Sequence, residues 1–251
     1  MEVLKQGFIL TIGIIGVFIV FGFIIEVLNK QSNKAVYRAF GIPGLYLTSF
    51  IGTPVHEFGH YIMCKIFRHK VGEVRWFIPS AVKTGGVLGY VKHGRGNSLY
   101  QRIGDFFIGI GPLIIGSLSV VLLSRYLLPD TFCSILNMDN INFKDVVVSI
   151  FSISNLKSYK FWIFIILVVS ICSHMSLSLA DVKNSSFGVV TLFVINLIIA
   201  FIIVTLKIDT TVLNKLLYNY NLICAIFMSI VVLIILFTLF IASIIALIRR
   251  R

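Results

Sequence analysis

The feature that most constrains this chain is a series of apolar runs, each long enough to cross a hydrocarbon core about 30 Å thick, which takes about 20 helical residues. Six are legible, at roughly 8–28, 42–67, 104–128, 160–180, 187–207 and 219–248. Lipid offers no partner to a backbone N–H or C=O, so such runs fold as helices that pair those groups internally. Composition agrees: 58% of the 251 residues are hydrophobic and 13% are charged, against about a quarter charged in soluble domains. The expected fold is an all-α membrane protein of about six transmembrane helices, forming a single integral membrane domain over 1–251. The first run follows Lys5 as a signal peptide does, but it is longer than an ordinary signal core and no small-x-small cleavage site follows, so it reads as a retained helix.

The net charge of +12 fits topology better than a polyanionic partner. Basic residues sit in short loops beside the apolar spans. If the protein is multi-pass with both termini cytoplasmic, Lys5, the basic stretch from Lys65 to Arg102, Lys183 and the closing Arg249, Arg250 and Arg251 all fall inside, the sign that the positive-inside bias requires. No interleaving of aromatic and basic residues suggests a nucleic acid partner. Cys64, Cys133, Cys172 and Cys224 have no paired spacing, which argues against a disulfide framework or a cysteine-based zinc site. No internal repeat is evident, and the residues do not indicate an oligomeric state.

Against this background the segment TPVHEFGHY, residues 53 to 61, stands out. On a helix His56 and His60 lie four residues apart on one face, where two imidazoles can reach one metal ion, and Glu57 sits beside them to handle a proton. Hydrolytic zinc chemistry needs these groups: a bound water ionising near pH 7 and an adjacent carboxylate to take its proton. Ionisable side chains at membrane depth are costly, so three within five residues argue for function. Glu57 is the expected catalytic base, and Zn²⁺ the expected cofactor.

A catalytic zinc site takes three protein ligands and leaves a fourth position open. The extended HExxHxxGxxH form would need a histidine where Ile66 stands, and no glutamate follows Glu73. Asp105, His174 and Asp181 remain. Asp105 opens the third span, where the helix dipole alone favours an acidic residue. If the fourth span continues as a helix to its end, His174, Ser178 and Asp181 share one stripe, and sidedness places Asp181 and His60 near the same face. Asp181 is therefore taken as the third ligand, with His174 as an alternative ligand or accessory hydrogen-bonding group.

These residues together resemble the site-2 protease family of intramembrane zinc metalloproteases. The resemblance covers about 42–190 and rests on the membrane-embedded His56-Glu57-Phe58-Gly59-His60, on Gly111-Pro112 in the next helix, and on the distal Asp181. It implies a short membrane-associated β-hairpin after the second helix, formed from VGEVRWFIP and GGVLGYVKH around Lys83-Thr84-Gly85-Gly86, with Gly89-Tyr90-Val91 as the family's Gly-Tyr-Val element. Alternation of Val71, Glu73, Arg75 and Phe77 supports the hairpin independently; either its edge offers a strand to an unwound substrate, or the segment is an interfacial loop anchored by Trp76. The implied activity is hydrolysis of peptide bonds in membrane-spanning or membrane-associated protein substrates within the bilayer. Thr48, Ser49, Gly52 and Thr53 are the candidates to line a water path. Two positions depart from the family pattern: Ile115 stands where many members have asparagine, and Ala180-Asp181-Val182 replaces Leu-Asp-Gly. The competing class is a non-catalytic multispan protein, either metal-binding, transporter-like or an inactive relative. It is opposed by the presence of all three motif residues and by the lack of the repeats and paired broken helices of transporters.

Overall fold

The computed structural model describes residues 1–136 and 143–249; Arg250 and Arg251, assigned above to the inner face, lie outside the described residues. Helix accounts for 81% of the structure, and a small two-stranded sheet is its only strand pairing among those residues. Four helices are long and apolar enough to cross a membrane: α1 (Glu2–Ile66), α3 (Leu99–Leu127), α8 (Leu179–Thr205) and α9 (Thr211–Ile248). Between them lie β1 (Lys70–Arg75), α2 (Pro79–Thr84), β2 (Tyr90–Gly94), α4 (Pro129–Leu136), α5 (Phe143–Ile150), α6 (Ile153–Leu156) and α7 (Tyr159–Cys172).

The count of six spans is not what the helices show, and the differences have local causes. The first two expected spans are the arms of α1, whose 65 residues would extend about 98 Å if straight. Gly41 breaks it, with φ 67° and ψ −154°, a conformation open to glycine because it has no Cβ. Pro43 then supplies no N–H for the Ala39 carbonyl. The Arg249 guanidinium, at the end of α9, donates to that carbonyl instead. Asn29 donates to Cys172 O (3.0 Å) and Gly52 packs on Ser170 and His174. Positions at similar distances before and after Gly41 thus meet the same turn, and α1 is a helical hairpin.

The expected fourth span, 160–180, is interrupted. Helix α7 has 14 residues, about 21 Å, and ends at Cys172; the chain restarts as α8 behind Ser178. There Ser178 Oγ accepts from Asp181 N (3.1 Å) while Asp181 Oδ2 accepts from Ser178 N (2.9 Å), a capping box that fixes a helix start. Asp181 therefore opens a helix, where the dipole favours its charge, and does not close the fourth span. The continuous stripe of His174, Ser178 and Asp181 does not exist.

Helix directions follow from polar contacts between helices, the usual means of fixing helices where lipid gives no hydrophobic drive between them. Asn221 Nδ2 donates to Gly13 O (2.6 Å), and Tyr220 Oη to Ile14 O (3.1 Å). With Arg249 at Ala39, these contacts run α9 parallel to the first arm of α1. Asn196 Nδ2 donates to Thr11 Oγ1 (3.0 Å) and Leu197 packs on Gly7 while Leu177 packs on Gly22, so α8 runs antiparallel to that arm. Met1 and Arg249 consequently lie at opposite ends of the bundle. Both termini were expected at one end; in the bundle they are not, because α7 and α8 run in the same direction.

The core centres on Ile25, Phe106, Leu113, Phe161, Met175, Val231 and Ile235, while Phe23, Phe187, Phe201 and Phe240 point outward. A surface as apolar as the core suits a lipid solvent. The hairpin forms as expected, with Lys70 opposite Gly94, Val71 opposite His93, Val74 opposite Val91 and Arg75 opposite Tyr90. Its connection is not a tight glycine turn, however: α2 is inserted at Pro79, and Gly85 ends it at φ 70°. Glu73 ties the strands together. Hydrogen bonds from Tyr90, Lys92 and Arg75 hold its carboxyl down to about 2.

Candidate metal centre

The sequence HEFGH is helical in the second arm of α1, which places His56 and His60 on one face and brings their Nε2 atoms to 3.1 Å. The start of α8 brings Asp181 to them, with Oδ1 3.4 Å from His60 Nε2. The ligand atoms of the three residues all lie within 4.8 Å of one another.

The outer ring nitrogens decide what that cluster can do. His60 Nδ1 lies 2.8 Å from Ile108 O, and His56 Nδ1 lies 2.7 Å from His174 O. A carbonyl oxygen only accepts, so each Nδ1 carries the hydrogen and each neutral ring presents a bare Nε2 lone pair to the other. Two facing lone pairs beside a carboxylate oxygen repel unless a cation or proton lies between them. Four tetrahedral ligands at the zinc–nitrogen distance of about 2.05 Å stand about 3.3 Å apart. The two separations made by His60, 3.1 and 3.4 Å, match that spacing, while His56 and Asp181 stand farther apart, within 4.8 Å; histidine Nδ1–H bonded to carbonyl is the usual support of a metal ligand.

Each supporting carbonyl is free for a local reason. His174 O belongs to the non-helical link between α7 and α8. Ile108 is four residues before Pro112, the residue that would otherwise donate an amide to it in α3. Close backbone contact brings α3 within reach: a Cβ on Gly59 would lie 2.6 Å from Pro112 N, and one on Gly111 2.6 Å from Gly59 O.

Glu57 is buried between the two histidines in sequence and is roofed by the hairpin connection. A Cβ on Gly89 would meet Glu57 Cγ at 2.8 Å and Thr53 Cγ2 at 2.9 Å. Trp76 packs on Tyr61 (ring centroids 5.4 Å) and Phe58 (6.3 Å), fixing the hairpin against the same helix. Thr53 Oγ1 and His174 Nε2 are buried with no hydrogen-bond partner.

The third-ligand candidates thus separate. Asp181 joins the histidines. His174 contributes its backbone carbonyl, and its ring is not part of the group that could hold a metal among the described residues. Asp105 is paired with Arg95, Oδ2 to Nε 2.7 Å. Ile115 lies in α3 against the cluster of Met63, Cys64 and Ile108. A second histidine pair lies at the base of the hairpin: His69 Nδ1 is 3.1 Å from His93 Nδ1, and His69 Nε2 is 2.9 Å from Gln101 O. Burial first, then His69 and His60, holds His93 down to about 4, against an opposing pull from Asp181.

Three residues named from the sequence have roles in this centre that it did not reveal. Ser178 had a legible signal, the Ser-x-x-Asp of a capping box. Pro112 stands in the Gly-Pro element of the resemblance, but the carbonyl it frees gains meaning only when His60 is known to face it. Gly89 carried no periodic signal, and its place over Glu57 depends on the path of α2. No family model, curated protein or solved structure matches the chain.

Proposed function

We propose that this chain is an intramembrane zinc metalloprotease that hydrolyses peptide bonds of membrane-spanning or membrane-associated proteins. The observation that carries the reading is the convergence of two Nε2 lone pairs and the Asp181 carboxylate, with Glu57 next to His56 on the same helix. His56, His60 and Asp181 would hold the ion. The chemistry such an ion supplies when bound is a water ionising at about pH 7 and a polarised scissile carbonyl. Glu57, oriented by Gly89 above it, takes the proton of the attacking water and returns it to the leaving amine. Asp181 is steadied because its second oxygen accepts the Ser178 N–H at the α8 cap, so one carboxylate both starts a helix and completes the site.

A substrate helix has to unwind before its amides are exposed. The hairpin supports that step, since a two-stranded sheet keeps a free edge to which an extended segment can add as a strand. Thr53, with its unpartnered hydroxyl beside Glu57, and the buried Thr48 and Ser49 support a route for water. In the membrane we read the chain as multi-pass, with α1 crossing out and back and α7 and α8 sharing one crossing. The hairpin end, which carries Lys5, Lys207, Lys215 and the basic segment from Lys65 to Arg102, is assigned to the cytoplasm, and Arg249 to the other face.

The test is cleavage of candidate membrane substrates by wild type and Glu57→Gln in parallel with metal analysis. The reading expects Glu57→Gln to keep its metal and to lose about 10²–10⁴-fold in rate. Equal cleavage by the two proteins would remove Glu57 from the chemistry.

A further inference from the structure

Helix α3 carries one proline, and the carbonyl it leaves without an amide is the one that His60 uses. Residue 112 in an unbroken helix would donate its N–H to Ile108 O, the i−4 carbonyl, but proline has no N–H and its ring displaces that carbonyl from the ladder. His60 Nδ1 stands 2.8 Å from Ile108 O. Gly59 and Gly111 allow the two backbones to approach closely enough for that contact.

We infer that Pro112 is a positioning residue for the metal centre, acting through Ile108 O to hold His60 as the Nδ1–H tautomer with its Nε2 lone pair turned to His56 and Asp181. The inference rests on the zinc reading of that site but concerns a residue that touches neither metal nor substrate. Proline in a helix interior is destabilising, by its lost hydrogen bond and its ring clash, so the position has a cost that packing against Gly59 does not require; alanine would pack there without that clash. What alanine adds is an amide. That amide competes for Ile108 O, reduces the hold on His60 Nδ1–H and lets the ring turn or change tautomer. Pro54, in the same arm as His56, supplies a control, because the carbonyl it frees, Phe50 O, is not a partner of either histidine.

The experiment has two readouts on the full-length protein in detergent. The first is ¹⁵N-histidine NMR of the metal-free wild type, which is expected to show a hydrogen held on His60 Nδ1; a bare Nδ1 would overturn the inference whether or not any variant folds. The second is Zn²⁺ titration of wild type, Pro112→Ala and Pro54→Ala, with thermal melting of each. Pro112→Ala is expected to melt no lower than wild type yet to bind Zn²⁺ about tenfold or more weakly, the range seen when a ligand's supporting hydrogen bond is lost, while Pro54→Ala binds as wild type does. Equal Zn²⁺ affinity in wild type and Pro112→Ala would overturn the role of Pro112 and leave the metal site standing. Absence of Zn²⁺ binding by wild type would instead overturn the site on which the inference rests.

Discussion

Two histidine pairs in this protein have the same nitrogen separation and opposite chemistry. His56 and His60 meet at 3.1 Å, and so do His69 and His93. In the lower pair only His69 is fixed from outside, by Gln101 O. With Nε2–H spent on that carbonyl, His69 Nδ1 is an acceptor, and neutral His93 donates to it. The pair satisfies itself, so it needs no ion. In the upper pair both outer nitrogens are fixed by carbonyls, so neither ring has a hydrogen left to give the other, and Asp181 adds a third acceptor. A short contact between histidines is therefore no sign of a metal; the partners of the outer nitrogens decide.

Exchanging the residues of the two pairs should break the comparison most sharply. His60→Ala is expected to abolish Zn²⁺ binding in equilibrium dialysis, whereas His69→Ala keeps it and loses only local order at the hairpin base, seen as faster amide exchange in β2. Retained binding in His60→Ala would place the ion elsewhere. Gly89→Ala is the next largest effect: the new methyl has to displace Glu57 Cγ or Thr53 Cγ2, and misplacement of a reacting group by about 1 Å costs about 10²-fold in rate. Its signature is a fall in kcat with Zn²⁺ affinity unchanged, and a parallel fall in metal content would contradict that placement. Smaller still, Ser178→Ala removes the hydroxyl that caps Asp181 N. It should cost about 1 kcal/mol in unfolding and about tenfold in Zn²⁺ affinity, as expected for a loosened ligand. An affinity unchanged by Ser178→Ala would show that α8 packing alone positions Asp181.

The comparison also marks what the sequence could show. Membrane character and the two-histidine face are written in composition and local spacing, which is why they were legible; Asp181 was reached by elimination and by a helical stripe that the break before α8 removes. The bend at Gly41 merges two apolar runs into one hairpin, and a Gly-Ile-Pro segment carries that signal weakly. The break before α8 was in fact written at Ser178 and Asp181, but hydropathy stays high across 160–180 and conceals it. With that break unseen, one traverse becomes two and both termini fall on one side. The two supporting carbonyls lay beyond reach because a backbone oxygen has no residue type; Ile108 and His174 matter for where their C=O groups point. The same reason separates Asp105 from Asp181, since its ion pair with Arg95 depends on how β2 meets α3.

The central claim is that His56, His60 and Asp181 form one metal centre, and metal stoichiometry of purified wild type, Asp181→Ala and Asp105→Ala tests it most directly. The account predicts one Zn²⁺ per chain in wild type and in Asp105→Ala, and loss of that ion from Asp181→Ala. A full equivalent of Zn²⁺ in Asp181→Ala, or its loss from Asp105→Ala alone, would contradict it.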